Sequence, residues 1–382
     1  MLQRIYLDHN ATTPIDSRVA KHMFEIADKA FANPGSSHAL GREARISLDL
    51  AREDIARVVD CAPQDLIFTS GGTESVNSAI SGLAAAVKVT AQKTLLNWPG
   101  QHASSRESVK RLVLQGWTVY EIPITKEGLV DESKLAEFPW EDISLVNLIL
   151  GHNETGVLSN IKSILAECKS RQIACHIDAV QVVGKLPISF RNLGVSALSF
   201  AAHKFGGPRG IGGLIMQEGV PYVPLMVGGF QENNRRPGTE NVVLASGMAL
   251  ALKLWMKERE FQYSHRLSLC NRFESGLKEK SPTLEIIAED TDRLPNTSSI
   301  MFPGVEGEAL LIALDLAGIC CSMGSACASG SVDPSPILLA MGYTREEARS
   351  TLRFSFGLTN TSQEIDSAIQ VISETYQRLR AV

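Results

Sequence analysis

Between residues 65 and 215 short apolar runs alternate with longer stretches in which apolar residues recur at helical spacing. The runs DLIFTS (65–70), SLVNLIL (144–150), ACHIDAV (174–180), ALSFAA (197–202) and GIGGLIM (210–216) read as buried strands. Strands separated by helices build a mainly parallel sheet wrapped on both faces, so the fold class is α/β. Beyond about residue 245, a stretch running from 242 to 280 has helical periodicity and predicts one long helix or two. It leads into a smaller unit in which EIIAE (285–289) and NTSSIMF (296–302) alternate with the helical patterns GEALLIALDLAG and SQEIDSAIQVISETYQRLRA. The expected division is a large domain at 15–255 and a small domain formed by 1–14 and 256–382.

Several strands end in small or polar residues: Ser70-Gly71-Gly72-Thr73, His152-Asn153-Glu154, Asp178 to Gln181, and His203-Lys204. The carboxyl edge of an open α/β sheet is where ligands bind. A lysine at a buried strand end is costly to desolvate as an ammonium, which favours the neutral, nucleophilic amine. Lys204 is therefore either a Schiff-base lysine or simply the first solvated residue after its strand. In TSGGTESVN the backbone N–H groups and the Thr73 hydroxyl could hold a phosphate at a helix N-terminus, or form an ordinary capped turn. Asp178 could pair with a protonated heteroaromatic nitrogen, or be a turn former. A phosphate cup, a pyridinium-pairing acid and a Schiff-base lysine together describe the three anchor points of pyridoxal 5'-phosphate (PLP).

Composition narrows the setting. The 382 residues are 44% hydrophobic, enough for a large core, and no apolar run reaches the roughly 18 residues of a membrane span. The opening MLQRIYLDHNATTP has no signal-peptide pattern, so a cytoplasmic location is expected. A net charge of -5 with mixed signs speaks against nucleic acid as the main ligand. Seven irregularly spaced cysteines argue against a disulfide framework and for a reducing compartment, and with no CxxC no metal site is expected.

The segments YLDHNATTP, NPGSSHALGREAR, FTSGGTESVN, HNETGV, HIDAVQ, SFAAHKFGGPRGIGG, RRPGTEN, CSMGSACASG and LRFSFG, between residues 6 and 357, resemble in kind and order those of cysteine desulfurases of the iron-sulfur-cluster type. These are PLP-dependent enzymes of fold type I. The resemblance implies that Lys204 carries the cofactor, Asp178 pairs with its ring nitrogen, and Gln181 and Asn153 lie near its phenolic oxygen. It implies that Gly72, Thr73 and His203 hold the phosphate, and that Thr239 reaches the phosphate of a neighbouring subunit, so that a homodimer is required. His102 would stack on the ring and move protons, Arg353 would grip the carboxylate of the substrate L-cysteine, and Asn33 would lie near that carboxylate. Cys327, set among Ser, Gly and Ala residues, would be the persulfide-forming nucleophile, handing sulfur to an acceptor protein such as an iron-sulfur scaffold. Cys320 and Cys321 end an apolar run and read as buried small hydrophobes.

Three positions depart from the pattern. Ala201 stands where a phosphate-binding serine is usual, removing a hydrogen bond worth about 1.5–3 kcal/mol to a charged acceptor. Gln101 precedes His102 where glutamate is usual, and His152 replaces the first residue of Asn-Asn-Glu. Selenocysteine lyase, and a sulfur-relay scaffold without turnover, are the alternative readings.

Overall fold

The computed structural model describes residues 4–88, 91–323 and 333–381. Twelve strands are present among these residues. β1 (Ile5–Tyr6) is followed by β2 (Leu66–Thr69), β3 (Thr94–Asn97), β4 (Thr118–Glu121), β5 (Leu145–Ile149), β6 (Ala174–Asp178), β7 (Ala197–Ala201) and β8 (Gly212–Met216). β9 (Glu285–Ile286), β10 (Thr297–Met301), β11 (Ile319–Cys320) and β12 (Thr351–Ser355) complete the set. β2 to β8 form one sheet of order β2-β8-β7-β6-β5-β3-β4, in which only β8 runs antiparallel to its neighbours.

The five apolar runs singled out in the sequence contain β2, β5, β6, β7 and β8, and every residue of β5, β7 and β8 is buried. Near-continuous burial is the mark of a sheet covered on both faces. Gly212 and Gly213 sit inside β8 rather than in a turn: a Cβ on Gly213 would lie 2.1 Å from the Phe200 ring of β7, its register partner. These glycines therefore make room for Phe200, whereas Gly206 and Gly210, at φ 81° and 86°, supply the turn between the two strands.

On the flanks lie α1 (Ser17–Lys29), α2 (Ala39–Val59), α3 (Gly72–Ala85) and α4 (Ala103–Leu114). The segment 242–280 is a single helix of 39 residues, Val242–Lys280, capped by the Asn241 side chain on Leu244 N–H. Its first half, through Trp255, packs into the large-sheet core. From Leu269 onward it packs into a second core with Phe302, Phe354, Phe356 and the closing helix Ser362–Arg380. That second core also takes up Ile5 and Leu7 and covers the antiparallel sheet β12-β10-β9. β1 pairs in parallel with β11.

Candidate active site

β6 and β7 are adjacent and parallel, so Asp178 at the end of one and Lys204 just past the end of the other emerge at the same sheet edge. They line one cavity of about 340 Å³ together with Gly72, Thr73, His102, Asn153, Gln181, Ala201, His203 and Arg353. Of the twelve site positions expected from the sequence, nine line this cavity, Asn33 and Thr239 do not, and Cys327 lies outside the described residues.

Lys204 donates hydrogen bonds to the carbonyls of Asn10 (2.6 Å) and Ala11 (2.9 Å). Burial and the nearby Arg353 guanidinium lower its pKa to about 8, with Asp178 and Asp8 opposing. Burial raises the Asp178 carboxyl to about 6, against the Val180 N–H bonded to one of its oxygens (2.9 Å) and the attraction of Lys204. Its other oxygen has no protein partner among the described residues. Each group is held in a state that an opposite partner would reverse. The pair is thus ready for a ligand carrying both an electrophilic carbon and a basic ring nitrogen.

The phosphate end is built by the first turn of α3. Gly71, at φ 154° and ψ -178°, brings the chain out of β2, and the N-terminal N–H groups of the helix have no intrahelical acceptor. A Cβ at Gly72 would lie 3.1 Å from Val180 Cγ2 and 3.4 Å from Ala201 Cβ, so glycine keeps this end of the cavity open. His203 Nδ1 lies 3.1 Å from Thr12 Oγ1, and burial with Lys204 and Arg209 lowers its pKa to about 4.

His102 is the N-cap of α4, and its Nδ1 accepts the Ser104 N–H at 3.2 Å, which leaves the proton of the neutral ring on Nε2. The ring is reachable from the cleft, yet desolvation against its wall and the cations Lys204, Arg106 and Arg353 hold its pKa well below the usual value. His152 is buried two residues beyond Leu150. Its Nδ1 accepts the Glu154 N–H (3.2 Å), so its Nε2–H donates to the Gly100 carbonyl (3.1 Å) and braces the turn before His102. Gln101 turns away from the cavity, donating to Asn97 Oδ1 and the Asn147 carbonyl, both at 3.1 Å. Two of the three departures thus have a structural role behind the site.

Arg353 reaches the cavity from β12. Its Nη2 pairs with Asp8 (2.6 Å) and its Nη1 donates to the Asn153 carbonyl (3.0 Å), while Nε is buried without a partner. Arg353 is thus both ion-paired and part of the cavity wall. Gln181 Nε2 donates to the Asn10 carbonyl (3.0 Å), and Asn153 Oδ1 is buried and unpartnered.

Asn33 is exposed, its Oδ1 accepting the Gly35 N–H at 2.8 Å, so the structure does not bring it to Arg353 within one chain. Thr239 lines a separate recess with Ser70 and Arg236. Asn10, Ala11 and Ser104 line the cavity without having been singled out; the signal for the first two was the polar turn DHNATTP. Among the six described cysteines, burial raises the thiols of Cys61, Cys175, Cys270, Cys320 and Cys321 or adds to that effect. A raised thiol is a poor nucleophile at neutral pH.

The donor set fits PLP. Free helix N–H groups suit a phosphate, a half-engaged buried carboxylate suits a ring nitrogen, a weakened lysine suits an aldehyde, and an orphaned guanidinium N–H suits a substrate carboxylate.

Residues 5–367 match the family described as Aminotransferase class-V. Cysteine desulfurase IscS of Dictyoglomus turgidum is 36% identical over 382 residues, covering 100% of this chain and 97% of that protein. A solved structure titled NIFS-LIKE PROTEIN superposes with a TM-score of 0.91 at 33% identity, covering 99% of this chain and 100% of its own. Another, titled SspA in complex with cysteine, has a TM-score of 0.81 at 28% identity, covering 93% of this chain and 99% of its own. The chain belongs to the aminotransferase class-V family and, within it, to the PLP-dependent cysteine desulfurases.

Proposed function

We propose that this protein converts L-cysteine to L-alanine and passes the sulfur, as a persulfide on Cys327, toward iron-sulfur clusters or thiolated products. The observation that carries the reading is the convergence of Lys204, Asp178 and Arg353 from three strands on one cavity. PLP, when bound, supplies a ring that stabilises negative charge at the substrate carbon next to nitrogen. Lys204, Asp178, Gln181, Asn153, Gly72, Thr73 and His203 would hold it.

Arg353 binds the substrate carboxylate through its unpartnered Nε side, with Asp8 fixing the guanidinium plane. Lys204, with its pKa lowered to about 8, takes and returns the Cα proton near neutral pH. His102, neutral with its proton on Nε2, serves as the second proton carrier. Asp178 would pair with the cofactor's ring nitrogen and favour its protonated form. The Cys327 thiolate attacks the substrate sulfur: an S–S bond forms as the Cβ–S bond breaks, and the carbon fragment takes a proton and leaves as alanine.

The protein is proposed to act as a cytoplasmic homodimer, with Thr239 serving the neighbouring subunit's site and an iron-sulfur scaffold among its sulfur acceptors. In support, Thr239 sits outside its own chain's cavity, and among the described residues no helix is long and apolar enough to cross a membrane. The test is to incubate the PLP-loaded protein with L-cysteine and reductant and assay alanine and sulfide together. Equal amounts of both are expected; alanine without sulfide, or neither, would overturn the proposal. Turnover on L-selenocysteine that greatly exceeds that on L-cysteine would point to the lyase instead.

A further inference from the structure

Lys204 also lines a second cavity, of about 460 Å³, and is the one residue that the two cavities share. Its other walls come from the 13–18 segment, the helix Val242–Lys280 and the stretch around Phe356. Two cations are buried there. Lys185 is 3% exposed and Arg266 5%, and neither forms an ion pair among the described residues.

Lys185 Nζ donates to Gln181 Oε1 (2.7 Å) and Asn10 Oδ1 (2.9 Å), which uses two of its three donors on amide oxygens. Arg266 Nη2 donates to Gln262 Oε1 (3.2 Å), and its Nη1 is buried with no partner at all. The carboxylate that lines this cavity, Asp16, is paired with Arg18 (2.7 Å), as is Glu258, which accepts the Gln262 Nε2–H. His9 adds a third nitrogen-bearing side chain, buried and close enough for Lys185 and Arg266 to push its pKa down after burial itself. An arginine keeps its charge in proteins, and a buried guanidinium without an anion is strongly unfavourable. Ala251 and Leu254, from the helix that carries Arg266, and Phe356 and Leu358 add apolar surface to the lining.

We propose that this second cavity binds a small organic carboxylate, its charged end on Arg266 Nη1 and Lys185 and its short carbon chain against Ala251, Leu254 and Leu358. The proposal is independent of the desulfurase reading, because none of its ligand-contacting groups belongs to the substrate-binding set.

The test is titration calorimetry on the PLP-loaded protein with n-butyrate, neutral butyramide and inorganic sulfate as probes. Saturable binding of one butyrate per chain is expected, with no butyramide binding and weaker sulfate binding. Arg266→Gln should weaken butyrate by about tenfold or more, the loss expected for a charge-assisted hydrogen bond, and Arg266→Lys should recover part of it. Arg353→Gln should leave the butyrate affinity unchanged. Loss of binding in Arg353→Gln with retention in Arg266→Gln would place the carboxylate in the substrate site and overturn the proposal, as would sulfate binding as tightly as butyrate. Should Arg266→Gln fail to fold, crystals of the wild type soaked in 4-bromobutyrate decide the matter. A bromine anomalous peak beside Leu254 supports the proposal; a peak only beside Arg353, or none, overturns it.

Discussion

Ala201→Ser should tighten PLP binding. Ala201 is fully buried in β7 and lines the cavity at the end where α3 begins, and its Cβ would be 3.4 Å from a Cβ built on Gly72. Because residue 72 is glycine, no side chain at that position stands against an added hydroxyl. A hydrogen bond to a charged acceptor is worth about 1.5–3 kcal/mol, so the dissociation constant should fall roughly 10- to 150-fold. The hydroxyl would otherwise be buried without a strong acceptor, so the PLP-free variant should be slightly less stable than the wild-type apoprotein. Absorbance or intrinsic-fluorescence titration of PLP-free protein reads the constant directly. A folded Ala201→Ser protein with an unchanged or weaker PLP affinity would refute the placement of the phosphate beside residue 201.

Arg353→Lys keeps the charge but loses the planar fork, so KM for L-cysteine should rise by about tenfold or more with a smaller change in kcat; an unchanged KM would remove Arg353 from carboxylate binding. In the PLP-free protein, amine-directed labelling followed by peptide mass spectrometry should show Lys204 half-reactive near pH 8, well below the surface lysines. The unfolded chain then binds more protons than the folded one between about pH 8 and the ordinary lysine value near 10.5, so stability from this group rises with pH across that window. A labelling midpoint at the ordinary lysine value would contradict the burial argument. Glu232→Ala removes a buried carboxylate that takes two bonds from Arg52, at 2.7 and 2.9 Å, and one from the Phe68 N–H, at 3.1 Å. A loss of about 3–5 kcal/mol in urea unfolding is expected, and a loss under about 1 kcal/mol would show the pair to be dispensable.

Much of the large-domain sheet was legible because its strands are buried on both faces and end abruptly in polar residues. β3 and β4 were not: β3, Thr-Leu-Leu-Asn, offers only two apolar residues, and β4, at the sheet edge, is largely exposed. Lys204 and Asp178 could be singled out by residue type at a strand end. Arg353 could not, because it lies in the middle of β12 and acquires meaning only from Asp8, 345 residues away, and from a cavity built by the other core. Gly212 and Gly213 fell inside a run legible as a strand, but their purpose there, close packing against Phe200 and Gly71, was not. Lys185 gave no signal, because its burial depends on amide partners from Asn10 and Gln181 that only the fold brings together.

The central claim is sulfur transfer from L-cysteine to Cys327, and a single turnover tests it most directly. PLP-loaded wild type and Cys327→Ser are mixed with one equivalent of L-cysteine without reductant, alanine is quantified, and the peptide containing residue 327 is weighed. The account predicts alanine together with a gain of one sulfur atom on that peptide in the wild type, and in Cys327→Ser neither, although the cofactor's visible absorbance is retained. Alanine formation by Cys327→Ser at the wild-type rate, or sulfur found on a different cysteine, would contradict it.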